Sequence, residues 1–494
     1  MADQATIERE VVAALRTCYD PEIPVDIYEL GLIYGVTVAP ERIETQLDGA
    51  IDAATMRLLE LQHPDGYWVG ELESNVTMTA QHLFWHHVLG LRTPELDRKI
   101  ANELLARQRD DGTWAIWFGG PADLSTSVEA YSALKLAGVD PGARARDFIR
   151  SRGGIARTRI FTKCFLALLG QWPWQRVTPI PVELALMPPS APFSIYDFSC
   201  WARGTFVPLA ACRALRPVRP ADIDLREIGA RPGETKAPPP PSRLRRAALR
   251  EAERWVRAHQ EADGSWGGIQ PPWVWSILML AALGHGFEDE TLRRAVEGWE
   301  GFTIEEGDRL RPEACQSPVW DTGLAVLALR DSGLGPEHPA LVRAADWLLR
   351  EEVTVTGDWA VRRPELAPGG WAFEFENDLY PDVDDTAVVA LALRGPIQDG
   401  LFDGSAALYW ILVVAVLAYA ASYFARGFLA GHRHFGLYGG LVLMESSSRC
   451  LFALAVAVGI AEGQTAVALG IAAAPIVSLA VVPPALARRI SPAA

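Results

Sequence analysis

The chain has 494 residues, a formal net charge of −15, 49% hydrophobic residues and 17 tryptophans. That length allows two or more domains, and the acidic balance argues against a nucleic-acid surface. The six cysteines are scattered without Cys-x-x-Cys spacing or a histidine cluster, which reads as reduced thiols rather than a disulfide frame or a zinc site, so no metal or cofactor is expected.

The first ten residues, MADQATIERE, are charged and lack the apolar centre of a signal peptide. Amphipathic runs at 51–61, 100–106 and 247–256 predict helices. Each is followed by a copy of Gln-x-x-Asp-Gly-x-Trp, at 62–68, 108–114 and 260–266. Asp-Gly stops a helix because glycine tolerates positive φ; the Trp can then pack across the loop while the Gln amide serves exposed helix-end groups. Three matches at four fixed positions exceed ordinary helix-end punctuation, and worn copies stand at 151–154, 355–359 and 369–371. The expected fold is all-α, a toroid of stacked helix pairs. Residues 214–243 interrupt the repeat with a loop ending in Ala-Pro-Pro-Pro-Pro-Ser, semi-rigid and without a core-forming pattern.

Near residue 380 the sequence reads Tyr380-Pro381-Asp382-Val383-Asp384-Asp385-Thr386, three carboxyl groups within four positions. Like charges this close raise the pKa of at least one neighbour; in a dry setting one acid stays protonated and can donate its proton. The apolar stretch 387–393 predicts the first turns of a buried helix. The same letters have other readings. Asp382 after Pro381 suits a helix N-cap, and acids in a first turn suit the helix dipole. A phosphatase-type Asp-x-Asp-x-Thr loop lacks its preceding hydrophobic strand, and an acid-rich helix for magnesium diphosphate lacks a second acidic cluster or a basic clamp. Beyond Gly400 come three apolar runs of bilayer-spanning length, at 406–424, 437–460 and 465–485. Glu445 and Arg449, four apart in the second, can pair on one helix face. A buried hairpin of a soluble protein is the alternative.

From about residue 42 to 393 these motifs together resemble the squalene-hopene cyclases, class II triterpene cyclases. The Gln-Asp-Gly-Trp copies resemble that family's QW repeats, Asp382-Val383-Asp384-Asp385 matches its DxDD acid motif, and segments 192–203, 264–272, 317–325 and 369–386 match in order. The resemblance implies a terpenoid cyclase/prenyltransferase-like α/α toroid with an incomplete catalytic barrel. It also implies cyclisation of squalene to hopene or hopanol by protonation of a terminal alkene and a carbocation cascade. By that resemblance Asp384 is the general acid, with Asp382 and Asp385 sharing charge around it. Phe373, Trp201, Trp320 and Asp321 match positions beside substrate and cation. Glu129, Arg159 and Gln270 match polar residues ordering water where the last cation is quenched. Gln81 replaces a Glu of that network, and Phe165 and Trp275 replace a Trp and a Tyr. The resemblance ends soon after residue 393, so an inactive chimeric or truncated cyclase held in the membrane, or a membrane transport fragment, stays open as an alternative. Residues 7–36 resemble the opening of a MIP18/SufT-like iron–sulfur assembly domain, and 408–489 resemble membrane helices of a polysaccharide flippase. The expected divisions are 1–41, 42–300, 301–400 and 401–494. The expected partners are squalene, the lipid bilayer and, by family resemblance, a second copy in a homodimer, with no nucleic acid. The body is expected on the cytoplasmic side, with the C-terminal helices in the membrane.

Overall fold

The repeat turns work as helix stops because their glycines do two things at once. Gly66, Gly112 and Gly264 sit at φ of 111°, 80° and 96°. A Cβ on Gly66 or Gly264 would also lie 2.4 or 2.3 Å from the backbone oxygen of Arg343 or Arg294 in a neighbouring helix. No other residue fits such a position. The Trp of each copy then donates its indole N–H to a carbonyl of the helix just ended: Trp68 to Leu58 (2.7 Å), Trp114 to Leu104 (2.8 Å) and Trp266 to Val256 (2.7 Å). The Gln side chain bridges two elements. Gln108 donates to Gly112 and Pro141, and Gln260 to Gly264 and Thr291, so the second partner lies at the start of the helix after next.

The computed structural model describes residues 43–394, 405–431, 435–458 and 464–479. The segment resembling an iron–sulfur assembly domain lies outside them. The described helices are α1 (Ile43–Leu61), α2 (Val76–Leu89), α3 (Pro94–Ala106), α4 (Leu124–Leu136), α5 (Ala143–Ser151), α6 (Ile160–Leu168), α7 (Cys200–Leu215), α8 (Arg243–Ala258), α9 (Gln270–Leu283) and α10 (Glu290–Gly298), followed by α11 (Pro318–Asp331), α12 (Pro339–Arg350), α13 (Val383–Ala392), α14 (Ala406–Gly431), α15 (Phe435–Ala457) and α16 (Gln464–Ser478). The three predicted repeat helices fall within α1, α3 and α8. An antiparallel hairpin of β1 (Thr303–Glu306) and β2 (Arg309–Pro312) lies between α10 and α11.

Two apolar cores divide the body. The larger runs from Val76 to Leu310 and is filled by Trp85, Trp114, Trp174, Trp266, Trp273 and Trp299. The second gathers Val319, Leu329, Trp347, Trp371 and Val389, together with Trp68 from the first repeat. Gln62 accordingly donates to Ala340 in α12 (2.8 Å) rather than to the second helix on, as the other two copies do. The N-terminal helix α1 thereby closes onto the C-terminal unit, with Leu58 and Leu59 packed against its core. The hairpin ties the two units: Arg311 pairs with Glu71 (2.5 Å) and Glu306 (3.0 Å).

The first apolar C-terminal helix is joined to this second core. Tyr409 is fully buried in it and donates to the Ala390 carbonyl of α13 at 2.5 Å. Segments Ala406–Leu429 and Phe435–Val456 are long and apolar enough to cross a membrane, and of the 18-residue apolar stretch within each only 29% and 12% is buried. Core helices of a soluble protein would be mostly buried, which counts against the hairpin alternative. α16 has 15 residues with Pro475 inside, and the rest of the third expected run lies outside the described residues.

Candidate active site

The acid motif is held by a worn copy of the repeat. Trp371 donates its indole N–H to Leu348 (2.7 Å), as the three full copies do, and its backbone pairs with Asp382, whose N–H donates to Trp371 O at 3.0 Å. Gly370 before it has φ of 87°, and a Cβ there would meet the Thr386 hydroxyl at 2.9 Å. Thr386 Oγ1 accepts from Trp371 N (3.1 Å) and donates to Asp382 O (2.6 Å). The repeat turn therefore sets the backbone from which α13 starts.

Asp382 is the N-cap. One of its oxygens accepts from the N–H groups of Asp384 and Asp385, both at 2.8 Å. The capping reading and the acid reading thus describe the same residues: Asp382 caps the helix, and its charge acts on the other two. Asp385 turns inward, 1% exposed, with Oδ1 unpaired. Burial first, then the charge of Asp382, pushes its carboxyl up to about 9, with Asp384 and Asp321 adding to the effect. Asp384 faces outward and is exposed; partial burial and Asp382 raise its pKa from the ordinary value.

Asp321 reaches the same place from α11. Its Oδ2 accepts from Gly70 N at 2.8 Å, while Thr322 beside it bonds the backbone of Trp68 (2.9 Å). Burial raises the Asp321 carboxyl. α11 can approach α13 this closely because Gly323 has no side chain: a Cβ there would lie 2.3 Å from Val388. Trp320 and Phe373 are half-buried, on α11 and just after Trp371. Trp201 is 61% exposed at the start of α7. The neighbouring Cys200 thiol is raised by burial, and Asp382 contributes, so α7 begins at the acid end.

One support was not legible in the sequence. Asp358, in the worn copy 355–359, is buried between Arg203 Nε and His259 Nε2, each at 2.7 Å, and accepts from the Tyr380 hydroxyl at 3.4 Å. Although burial pushes it up, His259 and Arg203 hold the carboxyl below its usual range. This cluster fixes Tyr380, the residue that opens the acid motif, and borders a cavity of about 250 Å³ shared with Phe198 and Cys200. Its members are far apart in sequence, so no local pattern could reveal it.

The second expected group also assembles, inside the larger core. Glu129 is fully buried on α4 and accepts from Gln81 at 2.8 Å and from Thr162; Gln270 donates to Gln81 at 3.0 Å. Burial pushes the Glu129 carboxyl up to about 7, against the pull of Thr162, Arg159 and Gln81. Arg159 itself donates to Thr77 (3.2 Å) and Thr126 (3.0 Å), at the edge of the cluster. Thr162 was not anticipated, since nothing local marks it. Phe165 and Trp275 meet with ring centres 4.9 Å apart and planes tilted by 42°.

A sequence profile for the squalene-hopene cyclase N-terminal domain matches residues 51–241 and 234–308, and one for the squalene-hopene cyclase C-terminal domain matches 316–400. An iron–sulfur cluster assembly protein profile matches 8–52. Squalene--hopene cyclase of Alicyclobacillus acidocaldarius is 43% identical over 380 residues, covering 70% of this chain and 59% of that protein. The Zymomonas mobilis enzyme of the same name is 37% identical over 388 residues, covering 71% and 59%; dammaradiene synthase of Dryopteris crassirhizoma is 36% identical over 378 residues, covering 70% and 55%. The chain therefore spans less than two thirds of the length of these relatives. The type II terpene cyclase MstE of Scytonema, solved with merosterolic acid A, overlays with a TM-score of 0.17 at 15% identity, covering 66% of this chain and 82% of that one. With matching profiles running from residue 51 to 400, the chain belongs to the squalene-hopene cyclase family.

Proposed function

We propose that the protein cyclises squalene to hopene or hopanol, starting with a proton from Asp384. The observation that carries this is the division of labour within one helix turn. Asp382 is committed to capping; Asp385 is buried and keeps its proton; Asp384 alone of the three faces outward, with its pKa raised. A plain alkene is a weak base, so protonating it takes a carboxyl that keeps its proton until the substrate arrives, and partial burial with the Asp382 charge raises the Asp384 carboxyl in that direction. The proton forms a new C–H bond at the terminal alkene and leaves a tertiary cation. Successive alkene π bonds attack it and close the rings. Phe373, Trp320 and Trp201 offer ring faces that stabilise the moving cation without bonding to it. The sequence ends when the last cation loses a proton, giving hopene, or takes up water, giving hopanol. Glu129, Gln81 and Gln270, with Arg159 beside them, are the groups to order that water or accept that proton, and a carboxyl poised near neutral pH suits the task.

The proposed division of the chain is 42–300 for the repeat domain, 301–400 for the acid-bearing part and 401–494 for the membrane part, with the body on the cytoplasmic side. The full chain incubated with squalene in detergent or vesicles should yield hopene or hopanol, and Asp384→Asn should not. Absence of product from the unaltered chain would favour the inactive reading; equal product from the variant would remove Asp384 from its role.

A further inference from the structure

Among the described residues of α14, α15 and α16, three carry formal charge: Arg426, Glu445 and Arg449. All three meet at one point. Glu445, 3% exposed on α15, takes Arg426 of α14 on one carboxylate oxygen and Arg449, one turn along α15, on the other. Ser422 of α14 donates to Glu445 at 3.3 Å and touches Ser478 of α16 at 3.4 Å, so the cluster joins three helices. Tyr423 and Tyr419 stack on the two guanidinium groups, at 4.6 and 5.3 Å.

The charges do not cancel. Two guanidinium groups face one carboxylate, which leaves one positive charge in helices otherwise apolar enough to cross a bilayer. An uncompensated charge in such a setting is costly and attracts a counter-charge. The donors are not used up either: the buried Nε–H of Arg426 has no hydrogen-bond partner. The cluster is also reachable, because the Arg449 side chain is 47% exposed. A guanidinium fork suits a tetrahedral oxyanion better than a simple halide.

We propose that Arg449, backed by Arg426, binds a phosphate group, and that in a membrane the occupant is the phosphodiester of an anionic lipid. Glu445 organises the two arginines and limits how tightly they hold the anion. The site lies apart from the acid motif and does not depend on turnover of squalene.

The test uses the full chain in nanodiscs of phosphatidylcholine with or without phosphatidylglycerol, reading retained lipid by native mass spectrometry. The unaltered chain should retain phosphatidylglycerol in preference to phosphatidylcholine. Arg449→Gln should weaken that preference about tenfold, and leaves the Arg426–Glu445–Ser422 link in place to hold the helices. Glu445→Gln should keep or strengthen it, because both guanidinium groups are then released. Competition by inorganic phosphate would show that the free ion shares the site; no competition would mark the lipid as the sole occupant, and both support the assignment. Equal retention of the two lipids by the unaltered chain would overturn it. So would an Arg449→Gln chain with unchanged preference, or loss of preference in Glu445→Gln, which is what a purely helix-holding ion pair predicts.

Discussion

The larger core and the acid-bearing core are built from the same repeat but treat their buried carboxyl groups in opposite ways. In the larger core Glu129 is fully buried, yet both of its oxygens find donors, in Thr162 and Gln81. In the second core Asp385 is almost as deeply buried and one oxygen has none. A satisfied buried acid serves the fold and can still accept a proton; an unsatisfied one keeps its own proton. The repeat supplies rigid turns to both. What differs is whether polar side chains from other helices converge on the carboxyl.

The largest expected effect tests the acid side of this contrast. Asp384→Asn should remove at least about 99.9% of any squalene turnover, on the scale at which general acids contribute, while Glu129→Gln should change product ratio more than rate, as measured by gas chromatography of the triterpenes. The next effect tests what the two cores share. Gly264→Ala and Gly66→Ala force a Cβ at positive φ against a neighbouring backbone oxygen, and each should cost about 3 kcal/mol in chemical denaturation; Gly119→Ala, at φ of 72° with open space, should cost about 1 kcal/mol.

A pH series sharpens the difference between the buried acids. Asp385 holds its proton in the folded state up to about 9, whereas an unfolded Asp releases it near about 3.9. Between those values the folded state binds more protons, so stability is fully present at the acid end and falls as pH rises. Asp385→Asn should flatten that fall and be more stable than the unaltered chain at pH 8, by on the order of 2 kcal/mol, read from thermal unfolding across pH. A variant that keeps the unaltered slope would show that Asp385 does not carry the proton. The smallest effect concerns the indole bonds. Trp266→Phe and Trp371→Phe each remove an indole hydrogen bond to a helix-end carbonyl and should cost about 1 kcal/mol; only the second should also lower turnover, because the turn that the Trp371 indole anchors holds the backbone of Asp382.

Much of this was written locally. Gln-x-x-Asp-Gly-x-Trp announces a helix stop, a positive-φ turn and a long-reaching aromatic, and all three copies deliver the same bonds. The helix after the acid triplet, its cap at Asp382 and the Glu445–Arg449 pair were likewise legible, since each rests on residues within one turn of each other. Thr162 beneath Glu129 and the Arg203–Asp358–His259 support of Tyr380 were not, because their partners are brought together across many residues. Nor did the chain order reveal that the first repeat, through Gln62 and Trp68, completes the second core rather than the first.

By itself the sequence determined where helices stop and which residues are acidic, because turn chemistry and helix periodicity act over a few residues. Which of three adjacent aspartates is capped, which is buried and which faces outward was decided by tertiary structure. Burial and neighbouring charge set a carboxyl's proton affinity, and both depend on helices that arrive from elsewhere in the chain.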